Sequence, residues 1–404
     1  MSQHTPETET LEPWAGAPAY RQAIAEDSAF AGAAAACLPL TGRTPEGVRD
    51  VRPTLATARR LVLTGSPGAG KSTVLRARVA ELARAAGAPD AALPVYVDLA
   101  LARSGDGIEE LVARALAAHG AAEPDSVPLH RVHLFMDNLD RVTDVYLLEG
   151  LELLMRAGGR SAPTVVLACR SSDWPLYHTW FDGLPVIELE PLAREAVSAR
   201  LGEALSPDAA AAARRWLARD PVLGDVARHP IGLEAVLTVV RGDPMDAWRR
   251  GRVLDALLSL HLESVAATDR PAHRAALGDI ALAGLGRGAL FEADTMALGL
   301  AVTRDDMVRT GVVMARGPAL EFVEPALAHH CAALAVLARA AASPEAVARR
   351  LADLPPERGA EVLLAAYALA PDPSGLVAAL LADPAAGLDR AALCLTTPIA
   401  ADPD

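Results

Sequence analysis

The chain has 404 residues, a formal net charge of -13, 51% hydrophobic residues and 4% aromatics. That length exceeds one ordinary hydrophobic core and predicts two or three domains. The abundance of unbranched Ala and Leu predicts a mostly helical chain around one sheet, and the acidic balance opposes non-specific attraction to nucleic-acid phosphates.

In chain order, MSQHTPETETLEP lacks the basic start and apolar stretch of a signal peptide. Its Thr, Glu and Pro content predicts disorder up to about Pro13. Helical patterning runs through roughly Tyr20 to Ala36. From Arg60 onward short apolar runs alternate with helical segments, the mark of βα units around a parallel sheet. The predicted strands are Arg60–Thr64, Pro94–Leu99, Val132–Asp137, Thr164–Cys169 and Val186–Leu189. The helix after the first starts within GKST and stops near Gly87; the others are IEELVARALAAHG, VYLLEGLELLMRAGG and REAVSARLGEAL.

After Leu205 the strand signal almost disappears. Ser206 as N-cap and Pro207 at the first helical position open one helix, and others are predicted over Val222–Arg241, Asp246–Ala267 and Ala272–Leu285. VVMARGPALEFVEP predicts a hairpin around Arg316 and Gly317, as in the wing of a winged helix. From Pro325 the chain is Ala/Leu helix broken by Pro-rich turns. No apolar run approaches the ~18 residues that span a bilayer. Cys37, Cys169, Cys331 and Cys394 are far apart without CxxC spacing, which argues against a zinc or disulfide framework. A cytoplasmic protein without a membrane partner is expected.

The strongest signal is LVLTGSPGAGKST, in which Gly65, Gly70, Lys71 and Ser72 satisfy GxxxxGK[ST] between a predicted strand and a predicted helix. Across Gly65, Ser66, Pro67, Gly68, Ala69, Gly70, Lys71, Ser72 and Thr73, glycines let the backbone turn its N–H groups onto phosphate oxygens at a helix N-terminus. Lys71 then reaches the β and γ phosphates and Ser72 completes a Mg²⁺ shell. Lys71 is the only lysine in the chain. A compact ammonium enters a loop already crowded with backbone donors, where a planar guanidinium fits poorly.

A nucleotide site also needs an acid for the metal, and the strand in RVHLFMDNLDRV ends in Asp137. Asp140, three residues on, is placed to hold or polarise the attacking water. The next strand, TVVLACRSSDW, ends in Arg170, at the carboxyl edge where open α/β sheets bind ligands, as a sensor of the γ phosphate. The basic cluster WRRGR, Trp248–Arg252, reads as a solvated or interdomain helix face rather than a nucleic-acid contact.

GSPGAGKST followed by PVYVDLAL, FMDNLD, VVLACRSS, VIELEPLAREAVSARL and ARHPIGLEAVL resembles the NACHT branch of the STAND nucleotide-switch ATPases, in order and spacing, over roughly Cys37 to Leu337. The resemblance implies an α/β P-loop NTPase domain, with a parallel sheet and helices on both faces, followed by helical lid, winged-helix-like and all-α C-terminal segments. The expected divisions are a disordered tail over 1–15, an N-terminal helical segment over 16–58, the nucleotide-binding domain over 59–205, the lid over 206–243, the winged-helix-like domain over 244–341 and a small helical module over 342–404. The resemblance further implies ATP or ADP with Mg²⁺, Pro230 near the adenine, and His229 approaching the phosphates. Two residues depart from the family pattern. Arg141 stands where a second carboxylate follows Asp140, which predicts slow hydrolysis, and Phe322, Val323 and Glu324 replace an FxH motif. His329 and His330 beside Cys331 lack metal spacing and read as core or interface packing.

The leading expectation is a signalling switch whose nucleotide state controls homo-oligomerisation. In bacteria, proteins of the resembled family serve as intracellular sensors, some in phage defence. About sixty residues precede the loop strand and only a small helical module follows Ala342, so a separate protein is expected to supply sensor or effector. The alternatives are a constitutive AAA+ or transport ATPase, for which Asp140 must act as base unaided, and a winged-helix nucleic-acid regulator, which the net charge disfavours.

Overall fold

The computed structural model describes residues 14, 16–85, 92–121, 123–158, 162–242, 248–285, 290–316, 319–341, 343–354, 356–382 and 387–396. The stretch up to Pro13, Gly87 at the end of the loop helix, and Gly317 in the hairpin turn lie outside them. The chain divides into two compact units: the described residues up to Ser66 with Gly70–Glu190, and Pro67–Ala69 with the described residues from Pro191 onward.

The first unit runs α1 (Ala17–Glu26), α2 (Ser28–Ala36), β1 (Thr41–Thr44), β2 (Gly47–Asp50), α3 (Val51–Thr57), β3 (Arg60–Gly65), α4 (Lys71–Arg84), β4 (Leu93–Asp98), α5 (Ile108–Ala118), β5 (Val132–Asp137), α6 (Val145–Arg156), β6 (Thr164–Arg170), α7 (Trp174–Tyr177) and β7 (Val186–Leu189). Its sheet has the order β2-β1-β7-β3-β6-β5-β4. The five predicted strands, β3 to β7, are all present and pair in parallel. Their near-continuous burial, five of six residues in β3 and in β5, is what helices on a parallel sheet impose. From β3 the chain crosses to the β4 edge, returns through β5 and β6, and leaves to β7 on the other side of β3. The carboxyl end of β3 is therefore a topological switch point, where open α/β sheets bind ligands.

In this first unit two features differ from the sequence expectation. The periodic run to Ala36 is two helices, because Asp27 is extended (φ -64°, ψ 125°) and its carboxylate accepts the Ala29 N–H at 2.7 Å, restarting the chain as an N-cap. The expected N-terminal helical segment over 16–58 also contains the β1–β2 hairpin. β1 extends the sheet antiparallel to β7, pairing Gly42 with Leu189 and Arg43 with Glu188. All four residues of β2 are exposed, so no apolar alternation marks it in the sequence.

His133 in β5 stacks on Phe135 at 4.4 Å between centroids. Burial first, and Arg78 second, push its pKa down to about 4. Its charged form is thus disfavoured in the fold: stability is full above the free-histidine value, falls as pH drops through it, and levels off below about 4. The expected loss is on the order of 3 kcal/mol. Thermal unfolding at stepped pH checks this, and His133→Leu should flatten the decline.

The second unit is mainly helical: α8 (Arg194–Ala204), α9 (Pro207–Arg219), α10 (Pro221–Val226), α11 (Pro230–Gly242), α12 (Arg250–His261), α13 (Arg270–Gly284), α14 (Glu292–Ala297), α15 (Arg304–Thr310), α16 (Pro325–Arg339), α17 (Pro344–Ala352), α18 (Pro356–Leu369), α19 (Pro373–Leu381) and α20 (Gly387–Thr396). Three short strands, β8 (Leu290–Phe291), β9 (Val313–Arg316) and β10 (Ala319–Phe322), form an antiparallel sheet in the order β8-β10-β9. The predicted hairpin is the β9–β10 pair. Ser206 caps α9 through the Ala209 N–H with Pro207 at its start, as its sequence predicts. The single helix expected over Val222–Arg241 is two, α10 and α11. Pro230 lacks an N–H and disfavours helical backbone at the residue before it, so the chain restarts there.

His330 is fully buried with Nε2 3.8 Å from an Asp255 carboxylate oxygen. His330 first, and Arg274 at 2.7 Å, hold the pKa of Asp255 down at about 2. In the WRRGR cluster Trp248 stacks on Trp216 (5.5 Å) and Arg250 grips the Asp220 carboxylate with two bonds of 2.7 and 2.9 Å. No helix among the described residues is long and apolar enough to cross a membrane.

Candidate nucleotide-binding site

Strand β3 delivers the chain to the loop and α4 takes it away. Gly68 (φ 75°) and Gly70 (φ 97°) hold left-handed backbone that a side chain would strain, and Gly70 is the N-cap of α4. The first N–H groups of α4, from Lys71, Ser72 and Thr73, have no carbonyl within the helix to bind, which makes the turn an anion site. Lys71 Nζ donates to the carbonyls of Gly65 (2.7 Å) and Ser66 (3.1 Å). Burial lowers its pKa, while Asp137 and then Asp140 oppose that shift; Arg170 adds to it. The structure thus brings four predicted residues, Lys71, Asp137, Asp140 and Arg170, into one electrostatic cluster at the carboxyl edge of the sheet.

Asp137 ends β5 with 1% exposure. Its Oδ2 accepts the Tyr96 hydroxyl at 2.8 Å and its Oδ1 accepts the Asn138 N–H at 2.9 Å. Asn138 is left-handed (φ 63°), and its side-chain amide donates to Asp98 at 2.8 Å. Asp98 sits in register with Asp137 on the neighbouring strand.

Asp140 and Arg170 hold each other. Arg170 Nε lies 3.0 Å from Asp140 Oδ2, the Arg170 N–H donates to Oδ1 at 3.3 Å, and Arg141 Nε lies 3.5 Å from Oδ2. The Asp140 side chain is 3% exposed. The residue standing where a second acid was expected therefore clasps the first acid. The sequence motifs do not single out Tyr96, Asn138 or Asp98. The available signal is the spacing in VYVD, which places Tyr96 and Asp98 on one face of β4.

No group of three or more His, Cys, Asp or Glu that could hold a metal occurs among the described residues. One buried carboxylate, Asp137, and one hydroxyl, Ser72, nevertheless suit Mg²⁺, which is held by few protein oxygens together with substrate phosphates and water. The donors are hard oxygens, so the residues fit that ion.

An open pocket of about 430 Å³ is lined by Arg43, Thr44, Pro45, Thr64, Ser171, Trp174, Pro175, Val186 and Glu188. Ser171 Oγ is buried there without a hydrogen-bond partner. That volume suits a small molecule.

In the second unit, which includes the loop tip Pro67–Ala69, the Ile231 N–H approaches the Gly68 carbonyl at 3.4 Å. Pro230, the residue expected beside an adenine, is the first of α11. His229 Nδ1 lies 3.3 Å from Glu324, which occupies the position of the expected histidine, without hydrogen-bond geometry. Burial shifts both toward the neutral form, His229 downward and Glu324 upward.

No protein-family model matches the sequence, and no curated protein does. Among solved structures the chain is similar to a mutant of Thermotoga maritima RuvB, at 17% identity over 69% of this chain and 91% of that one, with a TM-score of 0.34. At that score the likeness carries no argument. The P-loop NTPase arrangement rests on the glycine loop between β3 and α4 and on the acid strand two places away in the sheet.

Proposed function

We propose that this chain is a nucleotide switch of the NACHT and STAND kind, which binds ADP or ATP with Mg²⁺ at residues 65–73 and hydrolyses ATP slowly. The observation that carries the reading is the burial of Asp140 between Arg170 and Arg141. A general base must reach the proton it abstracts, and this carboxylate is 3% exposed and turned toward the Arg170 guanidinium, the Arg170 N–H and the Arg141 guanidinium rather than toward open space. A constitutive AAA+-like ATPase would need that acid free, and a nucleic-acid reader would need the arginines of WRRGR, of which Arg250 is bonded to Asp220.

In this reading the N–H groups at the start of α4 and Lys71 bind the phosphates, Ser72 and Asp137 hold the metal, and Arg170 moves between Asp140 and the γ phosphate. Bound Mg²⁺ neutralises phosphate charge. Helices α9–α11 act as the lid with Pro230 beside the base, and α12 to α16 with the three short strands act as the winged-helix part. The output is a conformational state that exposes an oligomerising surface to further copies and to a separate sensor or effector protein. Bacterial intracellular sensing, including phage defence, is the setting we favour. The cytoplasm is the proposed location, where four free cysteines are ordinary.

Light scattering tests the switch. Mass should differ between ADP and ATP with Mg²⁺, and Lys71→Ala should fail to respond to either. Identical masses in all conditions overturn it.

A further inference from the structure

We infer that Tyr96 is a positioning residue of the nucleotide site, fixing the Asp137 carboxylate through its hydroxyl, and that Phe30 of the N-terminal helices fixes Tyr96 in turn. The inference rests on the nucleotide reading above, with Asp137 as the acid toward the metal.

Two ring contacts and one strand register place Tyr96. The Arg76 guanidinium, one turn into the helix that begins at Lys71, lies over its face at 4.8 Å from the centroid. Phe30 of α2 meets it edge-on at 5.9 Å. Its own strand sets it opposite Phe135, in register with the acid strand. The hydroxyl then reaches Asp137 Oδ2 at 2.8 Å, across 41 residues of sequence.

The contacts continue outward from Phe30. Phe30 packs edge-on against His119 at 5.5 Å, His119 meets Tyr20 at 6.2 Å, and Tyr20 meets Trp14 at 6.4 Å. The Tyr20 hydroxyl ties this run to the strand of Tyr96 through the Pro94 carbonyl at 3.0 Å. The chain has only five Phe, five Trp and five Tyr. Four of them, with one histidine, form this single path from the N-terminal helices to the acid.

The hydroxyl is the informative atom. A phenylalanine would fill the same space, keep the contacts with Arg76 and Phe30, and leave Asp137 without that bond. The Tyr96 hydroxyl carries one proton to donate, and at 2.8 Å it donates it to Asp137 Oδ2. A donor on Oδ2 and another on Oδ1 leave each oxygen a further lone pair and fix the plane of the carboxylate. Partners of a metal-binding carboxylate that orient it in this way typically change metal affinity by ten- to a hundred-fold when removed.

The test measures Mn²⁺ binding in the presence of ADP by electron paramagnetic resonance, and ADP binding without metal by calorimetry, for wild type, Tyr96→Phe and Phe30→Leu. Tyr96→Phe should weaken Mn²⁺ by about ten-fold or more and leave metal-free ADP affinity within about two-fold. Phe30→Leu, which keeps the hydroxyl but loosens its support, should weaken Mn²⁺ by a smaller factor. Unchanged Mn²⁺ affinity in Tyr96→Phe with a lowered unfolding midpoint overturns the inference, since the bond is then structural only. A response in Tyr96→Phe with none in Phe30→Leu overturns the role of the N-terminal helices. Wild-type protein that binds no ADP overturns the nucleotide reading itself, and this inference with it.

Discussion

Lys71→Ala is expected to weaken ADP binding by between about thirty-fold and about three-thousand-fold, the range for truncating one member of a desolvated charge pair. Its ammonium lies against the Gly65 and Ser66 carbonyls at 2.7 and 3.1 Å, inside the loop rather than above it. Burial already disfavours its charged form, and the field of Asp137 and Asp140 works against that. A nucleotide phosphate adds negative charge at the same place and favours the ammonium further. Lys71→Arg preserves the charge and tests shape, because a planar fork cannot follow the ammonium between two carbonyls of one turn. It should lose most of the affinity too. Isothermal titration with ADP checks both variants, and wild-type affinity in Lys71→Arg would show that charge alone suffices.

Arg170→Ala is expected to lower the stability of the first unit by about 3 kcal/mol, with Arg141 as the reason the loss stays at the low end of the range for breaking a buried pair. Asp140 is 3% exposed and its pairing with Arg170 runs through two bonds, one to the guanidinium and one to the backbone. The backbone bond survives the substitution, and Arg141 remains 3.5 Å away. Asp140→Ala leaves Arg170 buried at 10% side-chain exposure and should cost a similar amount. The double substitution should cost less than the sum, because it removes both members of the pair together. At roughly 2–4 °C per kcal/mol for a unit of this size, the single variants should unfold about 6–12 °C lower, measured without nucleotide. Strict additivity would mean the two side chains do not interact.

The Asp140–Arg170 pair also shows how far sequence reasoning reaches. Position at a strand end marks both residues, one as a base and one as a phosphate sensor. Their mutual bond spans 30 residues and depends on β6 lying between the loop strand and the acid strand, which no local pattern encodes. Tyr96 escapes notice for the same reason: a tyrosine in an apolar strand looks like core until the neighbouring strand brings a carboxylate to its hydroxyl. Two helix breaks have local cues that periodicity masks, Asp27 followed by Ser28 and His229 followed by Pro230.

By itself the sequence determined the features governed by short-range physics. Glycines at 65, 68 and 70 with Lys71 and Ser72 can form one kind of turn between a strand and a helix. Unbroken apolar runs become buried parallel strands, and Ser206 before Pro207 starts a helix. The tertiary structure alone decided strand order, the exposed β1–β2 hairpin on the sheet edge, the clasp of Asp140 by two arginines and the hold of Tyr96 on Asp137. Each of these is set by which distant segments share a face of the sheet. The free energy that selects that arrangement is summed over the whole buried interior and is not carried by any single stretch of chain.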